Sequence, residues 1–243
     1  MSELFSIQLQ NRQQQGRDGI WLDLPTTTEQ VQAALRQIGI SSDNPQGLFI
    51  SGYFAEEEKR FAIPYNMVLA SNVDELNFLA SRLETLSTGE RAELNAALQA
   101  PQSELSNIGR ITDFPENVDY YVHLPDVHGP AQLGDYYLNR SGMVDMPEEW
   151  KGGIDTAQFG RYVAQQEQGA FTQYGYLVKS GDEWQKVHEG QPVPEEYRVL
   201  SFPAPEILRD AANIPPPVQP EMEPQKVIPI IPVSYTHLRA HET

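Results

Sequence analysis

The sequence lacks cysteine and is poor in basic residues. Without a thiol, the chain cannot form disulfides, thiolate metal sites or a cysteine nucleophile. Its 243 residues include 17 Lys and Arg against 34 Asp and Glu, a formal net charge of −17. Nucleic acids and anionic membrane surfaces attract basic proteins, because their phosphates need a cationic counterpart. We therefore expect no direct binding to DNA, RNA or a membrane surface.

Long apolar runs and a targeting signal are also missing. No run of about 18 apolar residues occurs, which is the length needed for a membrane-spanning helix. Met1–Gln10 has neither the basic start nor the apolar centre of a signal peptide. Apolar residues make up 40% of the chain and charged residues 21%, a composition typical of globular proteins. These features predict a soluble, cytoplasmic protein.

The sequence contains none of the common enzyme and cofactor motifs. GxGxxG, GxxxxGK[ST], HExxH and a serine nucleophile elbow do not occur. His123, Asp126 and His128 are the best candidates for metal ligands, but prolines interrupt that stretch and no fourth ligand is evident. We expect no metal, no cofactor and no enzymatic activity. A hydrolase that uses two carboxylates for acid–base chemistry stays open as an alternative, because acids are abundant.

Apolar periodicity indicates a first block, residues 1–69, that forms a small sheet with one helix. Alternating apolar and polar residues favour strands, whereas apolar residues three or four positions apart favour a helix. The segments with strand character are Leu4–Leu9, Ile20–Leu24, Gly47–Phe54 and Arg60–Tyr65, and the helical segment is Thr28–Ile38.

A second block, residues 70–125, is predicted to be helical. One helix is expected to begin at a capping box of Ser71 and Asp74, and another at Ser87 with Glu90, since such pairs satisfy the first free N–H groups of a helix. Pro101 ends the second helix. The buried stripe of the first helix is predicted to consist of Leu76, Leu79, Leu83 and Leu86.

A third block, residues 126–205, mixes helices and strands, which makes the whole chain an α+β protein. Asp155 is in position to cap a helix that continues through Gln166. The other predicted elements are a helix over Ala131–Asn139 and strands over Ala170–Lys179 and Tyr197–Phe202.

The C-terminal part of the sequence differs in character from the three blocks. Pro203–Pro232 contains nine of the 19 prolines, and proline removes backbone donors, so residues 206–233 are predicted to be a disordered, extended tail. The last ten residues, 234–243, read SYTHLRAHET and resemble a translated adapter from a DNA sequencing library. We therefore expect the natural reading frame to be interrupted near Val233.

Negative charge is distributed along the chain and is not confined to one acidic run. The three blocks carry −3, −6 and −6, and residues 70–150 contain 14 acids against four arginines. Carboxylates spaced along helices and turns could imitate the phosphates of B-DNA, which carries one charge per roughly 1.7 Å of helix axis. Acidity that serves solubility alone is the alternative.

Four short motifs occur in an order that resembles the antirestriction protein ArdA family. The N-terminal part of that family resembles Trp21–Pro25 (WLDLP) with Ile38–Ile40. Its central leucine-rich helix is similar to Glu75–Ala80 and Arg82–Glu84. Gly134–Tyr137 with Gly142 and Pro147 resembles its antirestriction motif. Its closing segment is similar to Asp155, Phe159–Arg161, Phe171 and Gly175–Tyr176. The resemblance extends over about residues 4–180.

This resemblance implies a fold, a partner and a mechanism. ArdA proteins are elongated, three-domain α+β homodimers that mimic bent B-form DNA. They occupy the DNA groove in the methyltransferase core of type I restriction–modification enzymes, and they block cleavage and often methylation. Plasmids and conjugative transposons carry such proteins.

Site residues follow from the resemblance together with block and turn positions. We expect Tyr136, Tyr137 and Leu138 to form the dimer contact. The alternative function is an acidic protein-interaction module that recruits a partner through its proline-rich tail. The carboxylates expected to replace phosphates are Asp113, Glu116, Asp119, Asp126, Asp135, Asp145, Glu148, Glu149 and Asp155.

Overall fold

Alternating apolar residues build a three-stranded antiparallel sheet near the N-terminus. Its strands are β1 (Phe5–Asn11), β2 (Ile20–Leu24) and β3 (Leu48–Phe54), in the spatial order β2-β1-β3. Helix α1 (Thr28–Gln37) begins at Thr27, which forms a capping box with Gln30. The apolar faces of the sheet and of α1 join one buried core. The computed structural model describes residues 4–14, 18–41, 45–56 and 61–200.

The strand predicted over Arg60–Tyr65 is wrong. Residues 61–64 have no regular structure, and Tyr65 begins a helix. The alternation arises because Phe61 and Ile63 both insert into the core, while the N–H of Ala62 donates to the side-chain oxygen of Asn95 at 2.7 Å. A side chain, not a neighbouring strand, therefore satisfies this part of the backbone.

Four helices, two of them long and two short, extend from the end of the first predicted block into the predicted helical region. They are α2 (Tyr65–Leu69), α3 (Val73–Glu84), α4 (Thr88–Gln99) and α5 (Ile108–Thr112). The capping box of α3 uses Asn72 and Glu75, one residue later than predicted, whereas Ser87 with Glu90 is confirmed for α4. The four leucines of the predicted stripe are buried, although Leu86 lies beyond the end of α3.

A second antiparallel sheet follows, with strands β4 (Tyr121–Leu124), β5 (Ala170–Thr172) and β6 (Gly175–Lys179) in the order β4-β6-β5. The predicted single strand over Ala170–Lys179 is in fact a hairpin. Gly175 follows the turn with a φ of +117°, a backbone conformation that glycine adopts without steric cost. The two small sheets and the helices confirm the α+β class.

Three helices and one π-helical turn lie between β4 and β5. The helices are α6 (Pro130–Asp135), α7 (Glu148–Lys151) and α8 (Thr156–Glu167). Tyr136–Arg140 continue α6 as a π-helical turn, so the predicted helix over Ala131–Asn139 changes its winding halfway. The side chain of Asp155 caps α8 by accepting from the N–H of Gln158 at 3.0 Å, which confirms the predicted cap.

Residues 180–200, which we call the C-terminal strap, cross the helical region with little regular structure. Asn117 both donates to the carbonyl of Gln185 and accepts from its N–H. Asn77 donates to the carbonyl of Tyr197. The carboxylate of Asp74 accepts from the N–H groups of Val199 and Leu200 at 2.7 and 2.8 Å. For this reason the strand predicted over Tyr197–Phe202 does not form within the described residues.

One cluster of buried side chains extends from the first strand to the strap, from Leu4 to Val199. Met1–Phe202 form a compact unit, in which the predicted division at residues 69 and 125 stays a prediction. The predicted proline-rich tail, the adapter-like end and the interruption near Val233 lie outside the described residues.

Candidate interaction surface

Six of the nine predicted phosphate surrogates are exposed side chains. Four of them have no hydrogen bond or ion pair to any described residue: Asp119, Asp126, Asp145 and Glu149. Glu148 forms a surface pair with Lys151 at 2.6 Å, and Asp155 caps α8. The four carboxylates without a partner carry charge that no described cation compensates. Binding to a cationic partner requires such uncompensated charge.

Asp113 is not a surface residue, which corrects the prediction for this position. It is fully buried, and its carboxylate accepts from three successive backbone N–H groups of the strap. These belong to Val187, His188 and Glu189, at 3.3, 2.6 and 3.2 Å. A carboxylate enclosed in this way holds the chain together and cannot face a partner.

Glu116 and Asp135 are partly buried, and internal cations compensate both. Glu116 forms an ion pair with Arg82. Asp135 accepts from the Asn139 amide and from Arg140, each at 2.8 Å. These hydrogen bonds, that of Asn139 first, hold the pKa of Asp135 below its ordinary value. Glu116 and Asp135 therefore contribute less to an external negative field than the uncompensated carboxylates do.

The region of the predicted antirestriction motif is held by close packing between α6 and α8. A Cβ at Gly134 would lie 1.9 Å from the carbonyl oxygen of Thr156, and one at Gly160 would lie 1.8 Å from that of Pro130. Both glycines therefore allow the two helix backbones to touch. This contact explains in physical terms why Gly134 of the motif and Gly160 of the closing segment are glycine.

A partly buried carboxylate binds two tyrosine hydroxyls close to α8. Glu167, on α8, accepts from the hydroxyls of Tyr137 and Tyr176. Burial, followed by the hydrogen bond to Glu167 and its charge, raises the pKa of Tyr137, and burial followed by the charge of Glu167 raises that of Tyr176. Both tyrosines therefore stay protonated; Tyr137 anchors the π-helical turn to α8, and Tyr176 anchors β6 to the same helix.

The predicted dimer-contact residues differ in exposure. Tyr136 and Tyr137 are partly buried and pack edge to face, with ring centroids 5.5 Å apart. Leu138 is 3% exposed, because the turn directs it into the interior, so it is not available to a second chain. Large apolar side chains that sequence reasoning missed lie exposed nearby in the chain: Met143, Trp150 and Tyr162.

Further exposed acids lie on the strap, beyond the positions chosen from the sequence. The exposed ones are Asp182, Glu183, Glu195 and Glu196. A count of acids in each segment of the sequence could have indicated them. Glu189 is different, because Asn107 and Arg110 bind its carboxylate. These hydrogen bonds, that of Asn107 first, lower the pKa of Glu189 to about 2.

The described residues show no group of three or more His, Asp or Glu side chains that could hold a metal ion. Of the three candidates from the sequence, His123 directs its Nε2 to the carbonyl of Tyr174 at 2.7 Å. Because a carbonyl only accepts, Nε2 is the protonated nitrogen. No helix within the described part of the chain has the length and apolar character needed to cross a membrane.

Comparison with known proteins identifies a family. A profile described as Antirestriction protein (ArdA) matches residues 15–178, about two thirds of the chain. No curated protein sequence matches the chain. The nine acids predicted from the sequence, the close contact of Gly134 with α8 and the π-helical turn all lie within the matched range. The strap begins after it.

Proposed function

Since the chain belongs to the antirestriction protein (ArdA) family, we propose that it inhibits type I restriction–modification enzymes by mimicking DNA. Exposed carboxylates would occupy positions that DNA phosphates take in the groove of the methyltransferase core. The observation that carries this proposal is the family match over residues 15–178, within which six predicted acids are exposed.

Electrostatics supports this mechanism. A groove that holds DNA must present lysines and arginines, and each carboxylate that meets one of them replaces a phosphate contact. The chain carries −17, so long-range attraction would also accelerate its encounter with such a groove. Several acids share the interaction, and each exposed one contributes little alone. No catalysis by the chain itself is needed for this inhibition.

Self-association would lengthen the acidic surface. In our proposal the chain is a homodimer, and Tyr136 and Tyr137 lie at or next to the contact. Met143 and Trp150 support this placement, because they lie within the motif and just after it in the chain and are 76% and 65% exposed. Exposed large apolar side chains close to one another in the chain are candidates for a protein interface. The expected location is the cytoplasm, where the target enzyme acts on DNA.

A restriction assay with matched charge reversals tests the proposal. Purified type I enzyme is given unmodified DNA and ATP, with increasing amounts of the full chain. One variant changes Asp126, Asp145, Glu148 and Glu149 to Lys, inside the matched range. The control variant changes Asp182, Glu183, Glu195 and Glu196 to Lys, outside it. Both variants alter the net charge equally.

The first variant is expected to lose inhibition at least tenfold, whereas the control keeps it within about threefold. Equal loss in both would mean that net charge, and not the placed acids, produces inhibition. Undiminished cleavage at excess wild-type protein would refute the proposal. Truncation after Phe202 distinguishes this proposal from the alternative of a recruiting tail. A DNA mimic retains inhibition without residues 203–243, whereas a protein that recruits its partner through the tail loses it.

A further inference from the structure

A groove runs along the outer edge of the N-terminal sheet, between β2 and α1. Its volume is about 490 Å³, within the range of about 300–1,000 Å³ found for ligand pockets. One wall consists of Ile20–Asp23, four consecutive residues of β2. The other wall is one face of α1, which presents Gln30, Ala33 and Gln37. A strand edge and a helix face therefore enclose a narrow, open space.

The edge of β2 offers unpaired backbone groups to this groove. β2 is the terminal strand in the order β2-β1-β3 and pairs with β1 on one side. Alternate residues of a strand direct their N–H and C=O to opposite edges. No described residue forms a hydrogen bond to the outer edge of β2. An extended segment has backbone donors and acceptors at the spacing of those on a strand edge, so it can pair with β2, whereas a helix cannot.

Side chains along β2 differ between its two faces. On the outer face Trp21 is 49% exposed and contacts the ring of Phe54, which is 58% exposed. Asp23 is also exposed there, and the hydroxyl of Ser6 donates to its Oδ1 at 2.5 Å, which leaves Oδ2 available. On the inner face Leu22 is buried, and the methyl group of Ala33 leaves room beside it.

A strand beside β2 would meet these two environments in alternation, because neighbouring strands share the same pleat. Its outer side chains would approach the indole of Trp21 and the carboxylate of Asp23, both of which attract cations. Its inner side chains would face Leu22 and Ala33, which favour apolar groups of moderate size. The charge of the whole chain, −17, favours a basic partner in addition.

We propose that this groove binds an extended protein segment of alternating basic and apolar residues, which adds to the sheet as a fourth strand beside β2. The site lies apart from the acids assigned above to DNA mimicry, and it provides a second contact with a partner protein. Its recognition chemistry is backbone pairing along the edge of β2, with guanidinium or ammonium groups on the outer face.

Binding of a labelled peptide tests the proposal with the full chain. The probe is fluorescein-Arg-Val-Arg-Val-Arg-amide, followed by fluorescence anisotropy. The same peptide N-methylated at each backbone amide keeps the charge but cannot donate to a strand. Ala33→Arg fills the groove, and Ala92→Arg adds the same charge to the partly exposed surface of α4. Amide chemical shifts in NMR spectra locate the bound peptide.

Binding is expected to weaken at least tenfold on N-methylation and in Ala33→Arg, and less than twofold in Ala92→Arg. The largest amide shifts should fall on residues 20–24. Equal binding of the N-methylated peptide would show general attraction to an acidic protein and overturn the proposal. So would no binding, shifts confined to other residues, or equal binding of a Glu-Val-Glu-Val-Glu peptide. No restriction enzyme is present, so failure here leaves the proposed antirestriction function intact.

Discussion

Single atoms decide how closely α6 and α8 approach each other. At Gly134 and Gly160 the space that a Cβ would need is already occupied by backbone carbonyl oxygens of the opposite segment. Backbone atoms cannot move aside as a flexible side chain can, so any larger residue must separate the two helices.

Gly134→Ala is expected to lower the free energy of unfolding by about 3 kcal/mol, because the added methyl group overlaps the Thr156 carbonyl. Gly89→Ala is the control, since a Cβ at Gly89 in α4 meets open space and alanine favours a helix by up to about 1 kcal/mol. Urea denaturation measures both. A change within about 0.5 kcal/mol for Gly134→Ala would contradict this packing.

Glu93 is an acid whose ionisation would destabilise the folded protein. One oxygen of its carboxyl is buried without a hydrogen-bond partner among the described residues. Burial, with smaller effects from the charges of Glu90 and Asp119, raises its pKa to about 8. The folded chain therefore keeps a proton on Glu93 at neutral pH that the unfolded chain, with an ordinary glutamate pKa, has released.

Because the folded pKa is raised, the stability of the protein should fall as the pH rises from about 4.5 to about 8 and change no further above that range. Glu93→Gln removes this dependence. We expect it to be about 1–2 kcal/mol more stable than wild type at pH 9, after allowance for solvent that still reaches the carboxyl, and similar at pH 5. Urea denaturation at both values checks this, with the exposed Glu149→Gln as control.

At the scale of elements, the C-terminal strap replaces regular secondary structure with side-chain anchors. Four polar side chains on the helical region bind its backbone, as described for Asp74, Asn77, Asp113 and Asn117. The ring of Phe78 packs between those of His188 and Tyr197, with centroid distances of 5.0 and 4.7 Å. The strap thus completes the core of the helical region, although it lies beyond the residues that match the family.

Asp113→Ala should release the middle of the strap. Three backbone N–H groups lose their acceptor, and bonds to a charged group contribute about 1.5–3 kcal/mol each, so we expect a loss of about 3 kcal/mol or more in unfolding free energy. Hydrogen exchange at Val187, His188 and Glu189 should accelerate at least tenfold. Asp113→Asn keeps one acceptor oxygen and should show a smaller effect. Unchanged exchange in Asp113→Ala would refute the anchoring role.

At the scale of the whole molecule, the external electrostatic field depends on both the net charge and the positions of the carboxylates. Acids that are paired within the chain, such as Glu116 and Glu189, contribute little to an external electrostatic field. What a partner can use are the exposed and uncompensated carboxylates. The inhibitory strength expected for a DNA mimic therefore depends on the arrangement of a subset of acids more than on the total of −17.

Binding to the target enzyme should weaken strongly with salt. Replacement of phosphate contacts by carboxylates implies that direct binding, measured by calorimetry without DNA, falls at least tenfold between about 50 and 200 mM salt. The variant with Lys at 126, 145, 148 and 149 should show a flatter dependence than the control with Lys on the strap. Affinity that does not change with salt would argue for an apolar interface instead.

Local sequence patterns determined the α+β class, most element positions and the family of this protein. Strands β1 and β2, the cap of α4 at Ser87 and the cap of α8 at Asp155 follow from residues within a few positions of one another. Total charge also follows from the sequence alone. Such features depend on near neighbours along the chain, which a sequence shows directly.

Tertiary structure alone decided which polar groups face the interior. Asp113 looked like any other acid in a turn, but its hydrogen-bond partners lie 74 to 76 residues away. Leu138 looked like a contact residue, but the π-helical turn directs it inward. Phe61 and Ile63 imitated a strand, because an asparagine more than 30 residues distant satisfies the backbone between them. Contacts between distant parts of a chain form only when it folds, and no local pattern encodes them.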